Sequence, residues 1–184
     1  MKIALYLGSF NPFHNGHLEV IKTALNDFKM DKVVIVPTMQ NPWKKEKVFD
    51  IDKRILIIIN SLIEREKLFF PYTFDNDFEI EPNLLISQIE KRLIPPYYSY
   101  ATLHALKNKY CNDEVFVLCG EDTIKDIPDW MNGGAIIQDY NFLVVDRPKD
   151  SISSTKIRNK VKNGEDIDKY VSSDVVNLIK KYYI

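Results

Sequence analysis

The sequence predicts an α/β fold, a doubly wound parallel sheet with helices on both faces, built by residues 1–184 as one domain. Three observations carry that prediction. Short continuous apolar runs, rich in β-branched residues, read as strands buried on both faces. Between them apolar residues recur at helical spacing. The two patterns alternate along the chain, the signature of βαβ units and hence of a parallel sheet.

The elements follow in order. Lys2 to Leu7 is an apolar run stopped by Gly8, a buried first strand. From Gly16 the period changes, and Leu18, Ile21, Leu25 and Phe28 mark one face of a helix. Lys32 to Val36 is a second strand, ended by Pro37. Asp50 or Asp52 caps a helix whose apolar face is Ile55, Ile58, Ile59, Leu62 and Ile63. The stretch from Phe69 to Pro96 mixes aromatic, acidic and proline residues, and is read as a strand near Phe78 to Glu81 and a short helix around Leu85 to Leu93. A helix follows from Ser99 through Leu103, Leu106 and Tyr110, then strands at Glu114 to Cys119 and Asn141 to Val145. Helices at Ser154 to Lys162, ended by Gly164, and at Ser173 to Tyr182 complete the pattern. This is a Rossmann-like arrangement, in which ligands bind beyond the carboxyl ends of the strands.

Composition narrows the partners. The chain is 45% hydrophobic and 28% charged, ordinary for a globular protein, and its formal net charge is -1. No global basic field favours a nucleic-acid polymer, so any phosphate chemistry depends on local clusters of cations. Cys111 and Cys119 fit no metal-ligand spacing, which reads as reduced thiols in a cytoplasmic protein. Gly8, Ser9, Asn11 and Pro12 interrupt the apolar start before a signal-peptide core forms, and Ile55 to Ile59 is far too short for a membrane span. The expectation is a cytoplasmic protein with no membrane partner; self-association into a homo-oligomer is compatible with it.

The chemistry concentrates after the first strand. Gly8-Ser9-Phe10-Asn11-Pro12-Phe13-His14-Asn15-Gly16-His17 runs directly into a helix and holds two of the three histidines. Gly8 and Ser9 let the backbone turn tightly and approach a ligand. A helix start offers unpaired N–H groups and a partial positive charge, a seat for phosphate. His14 and His17, three apart, face one way and present imidazole N–H donors. Zinc is the rival reading, but no third ligand in the motif completes a set.

The same decapeptide resembles the signature of the HxGH nucleotidyltransferase superfamily. Ile152-Ser153-Ser154-Thr155-Lys156-Ile157-Arg158 is similar to its second signature, ISSTxIR. Gly120-Glu121-Asp122, Pro128-Asp129-Trp130, Val145-Asp146-Arg147-Pro148 and Tyr98-Ser99-Tyr100-Ala101-Thr102-Leu103 resemble the nicotinate (nicotinamide) nucleotide adenylyltransferase family. The pattern departs from that family at Ala101, where an acidic residue is usual, and at Asn41-Pro42-Trp43-Lys44, where a histidine is usual.

The resemblance implies that a pyridine mononucleotide is joined to the AMP of ATP with release of pyrophosphate. It implies catalytic roles for His14, His17 and Arg158, and ATP contacts from Gly8, Ser9, Phe10, Gly16, Lys44, Gly120, Asp122, Ile152, Ser153, Ser154 and Thr155. Ser99, Trp130 and Arg147 fall to the mononucleotide, Trp130 as a stacking face. A phosphate monoester is mostly dianionic at pH 7, its second pKa being about 6, so no general base is required. Positioning and charge neutralisation remain for the protein. A divalent cation, Mg²⁺, is expected to travel with ATP's phosphates and to need few protein ligands. The alternatives are another HxGH enzyme, such as a pantetheine-phosphate adenylyltransferase or a cytidylyltransferase, and a non-catalytic nucleotide sensor on the same fold.

Overall fold

The computed structural model describes residues 1–40, 48–63, 76–146 and 152–183. Six strands form one sheet: β1 (Lys2–Gly8), β2 (Lys32–Pro37), β3 (Phe78–Glu81), β4 (Leu84–Ile86), β5 (Glu114–Gly120) and β6 (Asn141–Val145). The helices are α1 (Asn15–Asn26), α2 (Ile51–Leu62), α3 (Ser99–Lys109), α4 (Glu121–Asp126), α5 (Gly133–Asp139), α6 (Ser154–Lys162) and α7 (Val176–Tyr183). Strand order is β3-β4-β2-β1-β5-β6, parallel throughout except for the antiparallel edge pair β3–β4.

Side-chain alternation assigns each face of the sheet. Ala4, Tyr6, Val33, Ile35 and Leu118 point to a core shared with α1, α2, α6 and α7. Ile3, Leu5, Val34, Val36 and Val117 point the other way, to a core completed by Leu103 and Leu106 of α3 and Ile136 of α5. That period-2 split is what burial on both faces of a parallel sheet requires. The doubly wound prediction is the fold observed.

Several local expectations are refined. Leu84 to Ile86 is a strand pairing with Val33 to Ile35, where the expected helix begins at Leu85. Only Ile89–Arg92 beyond it coils, as a single 3-10 turn. An apolar run this short carries no period that separates strand from helix. The helices α4 and α5 were not anticipated, being six and seven residues long. Asp50, not Asp52, caps α2, accepting from the Lys53 N–H at 3.1 Å. Ser153 caps α6, accepting from the Lys156 N–H at 3.2 Å. Among the described residues no helix is long and apolar enough to cross a membrane.

Candidate active site

The sheet opens at one place. β1 pairs with β2 from Ile3 opposite Lys32 to Gly8 opposite Pro37, and β5 with β6 to Gly120 opposite Val145. Between the two central strands, however, the β1–β5 register ends at Leu5 opposite Val117, although both strands run on to Gly8 and Gly120. The chain winds outward in opposite directions from β1 and β5, so this gap is the topological switch point where doubly wound sheets bind ligands. The α1 start follows β1 into it and the α4 start follows β5.

The loop from Gly8 to His17 is built on aromatic packing. Phe10 lies at φ 44, in the left-handed region that a bulky side chain rarely adopts. Its ring is 1% exposed and sits against Gly8, where a Cβ would meet Phe10 Cζ at 3.0 Å. Tyr6 meets that ring edge-on at a centroid separation of 5.2 Å, so burial holds the strained backbone in place. On its other side Phe10 meets the His17 ring edge-on at 5.0 Å, and Phe13 stacks on His17 at 5.3 Å.

The two histidines are stacked, centroids 3.7 Å apart and planes 26° from parallel. They are not equivalent. His14 is 2% exposed and occupies the N-cap of α1, whereas His17 is only half-buried. The His14 main-chain N–H donates to His17 Nδ1 at 3.2 Å. With Nδ1 accepting, a neutral His17 carries its proton on Nε2, which makes Nε2 the donor atom of the ring. Gly16 lies close beneath them: a Cβ there would stand 3.1 Å from two atoms of the His14 ring, which would have to shift to admit it. Two expected phosphate donors are already engaged: the Asn15 N–H bonds the Tyr170 carbonyl at 2.9 Å, and the His17 N–H bonds the His14 carbonyl at 2.8 Å.

The second motif docks directly onto the first. Ser154 Oγ donates to the Pro12 carbonyl at 2.8 Å, and Arg158 Nη1 donates to the Asn11 carbonyl at 2.7 Å across 147 residues of sequence. Arg158 Nη2 also donates to Thr155 Oγ1 at 3.1 Å, which orients the guanidinium within α6. Arg158 is 9% exposed, and the Ile152 side chain lies 3.7 Å from where a Gly16 Cβ would stand. Two helix starts, two imidazoles and a guanidinium thus converge on one loop.

Sequence reasoning missed the residues beneath that loop. Arg54, on the otherwise apolar face of α2, is 1% exposed. Its Nη1 donates to the Ser9 carbonyl at 2.5 Å, Nε to Phe49 O at 2.6 Å and Nη2 to Met39 O at 3.4 Å. Burial lowers its pKa to about 10, so it stays charged at neutral pH. Glu90, also 1% exposed, accepts from the Met39 N–H at 2.6 Å and from Thr102 Oγ1 at 2.8 Å. Burial pushes its carboxyl above the usual range against those donors and the nearby Arg54. Together they tie the turns after β1 and β2 to α2 and α3. An arginine interrupting an isoleucine-rich helical face was the available signal.

The remaining predicted residues are spread around the gap. Gly120 is buried and caps α4, with Asp122 exposed in the first turn of that helix. Trp130 is half-buried and packs on the core beneath β1, β2 and β5, opposite the face carrying α1 and α6. Its carbonyl accepts from the Gly133 N–H at 2.9 Å. Ser99 begins α3, on that same face. Lys44 and Arg147 lie outside the described residues, as does Trp43. Surface clefts along α3, lined by Tyr100, His104, Lys107 and Tyr140, include no residue of the histidine loop. Among the described residues no group of three or more His, Cys, Asp or Glu could hold a metal ion.

A family model described as cytidylyltransferase-like matches residues 5–160. A protein of Fusobacterium nucleatum named as a probable nicotinate-nucleotide adenylyltransferase is 33% identical, the match covering 100% of both chains. A protein of Cytophaga hutchinsonii with the same name is 32% identical over 100% of this chain and 98% of its own. The chain belongs to the nicotinate-nucleotide adenylyltransferase family. Its fold is shared with a Plasmodium falciparum nicotinic acid mononucleotide adenylyltransferase solved with NaAD, at a TM-score of 0.71 and 19% identity, covering 100% of this chain and 96% of that one. The resemblance first carried by the histidine and ISST segments is therefore a family relationship over the full chain.

Proposed function

We propose that the chain, acting as one nucleotidyltransferase domain, transfers the adenylyl group of ATP to nicotinate mononucleotide in NAD biosynthesis. A phosphate oxygen of the mononucleotide attacks the α-phosphorus of ATP; the new P–O bond forms as the α–β bridging bond breaks, and pyrophosphate leaves. The observation that supports this best is the docking of Ser154 and Arg158 onto the Pro12 and Asn11 carbonyls. With that docking, the histidine loop and the α6 start stand side by side, which supports reading both as seats for phosphate.

In this reading Gly8, Ser9, Phe10 and Gly16 bring backbone close to the triphosphate, and His17 donates to it through Nε2. His14, nearly fully buried, supports the His17 ring from below. The α6 start, with Ile152, Ser153, Ser154 and Thr155, faces the phosphates and Arg158 fixes it there. Gly120 and Asp122 line the other wall of the gap on the ATP side. Lys44 adds charge, while Ser99, Trp130 and Arg147 receive the mononucleotide.

The donors at the loop are imidazole, guanidinium and main-chain N–H, a set that suits phosphate oxygens rather than a cation. Mg²⁺ would arrive on ATP's phosphates and supply charge neutralisation there, and Asp122 at the α4 start would accept from its water or from a ribose hydroxyl. The test is dinucleotide and pyrophosphate formation from ATP with nicotinate mononucleotide, nicotinamide mononucleotide or pantetheine phosphate. The largest kcat/KM is expected with nicotinate mononucleotide. Turnover with pantetheine phosphate alone would overturn the reading.

A further inference from the structure

Three residues before His14, the side chain of Asn11 is held from two sides. It is 5% exposed, and its Oδ1 accepts from the Tyr183 hydroxyl at 2.7 Å and from the Phe49 N–H at 3.4 Å. Its carbonyl is the one that Arg158 holds. The stronger side-chain bond comes from α7, an element that neither motif includes. Tyr183 is 7% exposed, and its ring packs on Phe49 with centroids 4.9 Å apart.

We propose that Tyr183 is a positioning residue for adenylyl transfer: its hydroxyl fixes Asn11 and, through the short Asn11-to-His14 segment, the placement of the stacked histidines. The inference rests on the adenylyl-transfer reading for its kinetic consequence and on geometry alone for its structural one. Phe49 offers a longer bond, so without the hydroxyl Asn11 Oδ1 keeps only the weaker of its two anchors. Burial also raises the Tyr183 pKa, which keeps the hydroxyl protonated, and therefore a donor, across the working pH range. The ring itself, by contrast, belongs to the core whether or not the hydroxyl is present.

Tyr183→Phe separates the two contributions, because it keeps the ring against Phe49 and removes only the donor. Tyr182→Phe is the control: it deletes the neighbouring hydroxyl, whose ring packs on Phe49 and Lys53 rather than on Asn11. For Tyr183→Phe, kcat with ATP and nicotinate mononucleotide should fall about two- to tenfold, the worth of one ordinary hydrogen bond, with KM for the mononucleotide unchanged. The loss should shrink in a His17→Ala background, since residues acting through one group are not additive. Amide hydrogen exchange at His14, Asn15 and His17 should quicken in Tyr183→Phe while exchange within α3 does not. Tyr182→Phe should do neither. If Tyr183→Phe matches the parent in both kcat and loop exchange, or if exchange rises equally throughout the molecule, the positioning role is wrong. A parent protein inactive with these substrates refutes the function instead, and the exchange comparison still decides whether Tyr183 pins the loop.

Discussion

The His17 ring lies flat on the His14 ring, 3.7 Å between centroids, and accepts a hydrogen bond at Nδ1 from the main chain of its neighbour. One ring is buried, and the other is half-exposed with its Nδ1 engaged. That difference was invisible in the spacing, which presents the two as equals.

His17→Ala should lower kcat about a hundred- to a thousandfold, the usual loss for one preorganised donor at a developing charge. ATP binding should change much less, because the donor matters most as the transfer proceeds. Steady-state kinetics together with calorimetric ATP binding checks this. A variant within a few-fold of the parent would remove His17 from the reaction.

Arg158→Lys should be poorly tolerated although charge is kept. The guanidinium bonds Asn11 O and Thr155 Oγ1 through different nitrogens, a reach that one ammonium does not reproduce. Losing a buried charge-assisted bond costs about 1.5–3 kcal/mol, or roughly ten- to a hundredfold in kcat/KM. Full activity in the lysine variant would reduce Arg158 to a packing role.

Trp130→Ala distinguishes a stacking face from a core plug. If the ring stacks on the pyridine, KM for the mononucleotide should rise about ten- to a hundredfold, the worth of about 1–3 kcal/mol in base stacking, with KM for ATP nearly unchanged. Trp130→Phe should recover much of that. Its packing on the core below β1 and β5 adds a fall in melting temperature to the Ala variant. An unaltered mononucleotide KM in a folded Trp130→Ala would exclude it from the site.

Asp77 sets an acid limit on the β3 edge. Burial opposes its charged form, but bonds from Lys109, from the Gln88 N–H at 2.8 Å and from Arg92 at 3.1 Å outweigh it and hold its pKa below the ordinary value. A carboxyl depressed in the folded state contributes stability that is present above the unfolded pKa, about 3.9, and is lost as pH falls through the folded one. Asp77→Asn should therefore melt earlier than the parent at pH 7, the two curves converging below about pH 4. Parallel melting curves from pH 7 to pH 3 would contradict this.

Much of the molecule was legible in the linear chain because its signals are local. β1, β2, β5 and β6 are uninterrupted apolar runs with clean stops at glycine, proline or charge, and α1 and α2 each repeat an apolar stripe along their length. Where runs are short the signal fails: Leu84 to Ile86 reads equally well as a strand or as one turn of helix, and only pairing with β2 decides it. The histidine and ISST motifs were legible for the same reason, since each is a contiguous turn into a helix.

What the sequence by itself determined is the order of these elements and the position of its two recognisable motifs. What only the tertiary structure decided is their relation. The gap between β1 and β5, the engagement of Asn11 by both Arg158 and Tyr183, and the clasp of Arg54 on Ser9, Met39 and Phe49 join residues distant in the chain. No local propensity encodes such contacts. They exist because buried carbonyls and amides must find partners once the sheet and helices exclude water, and the nearest partners come from whichever elements the packing brings alongside.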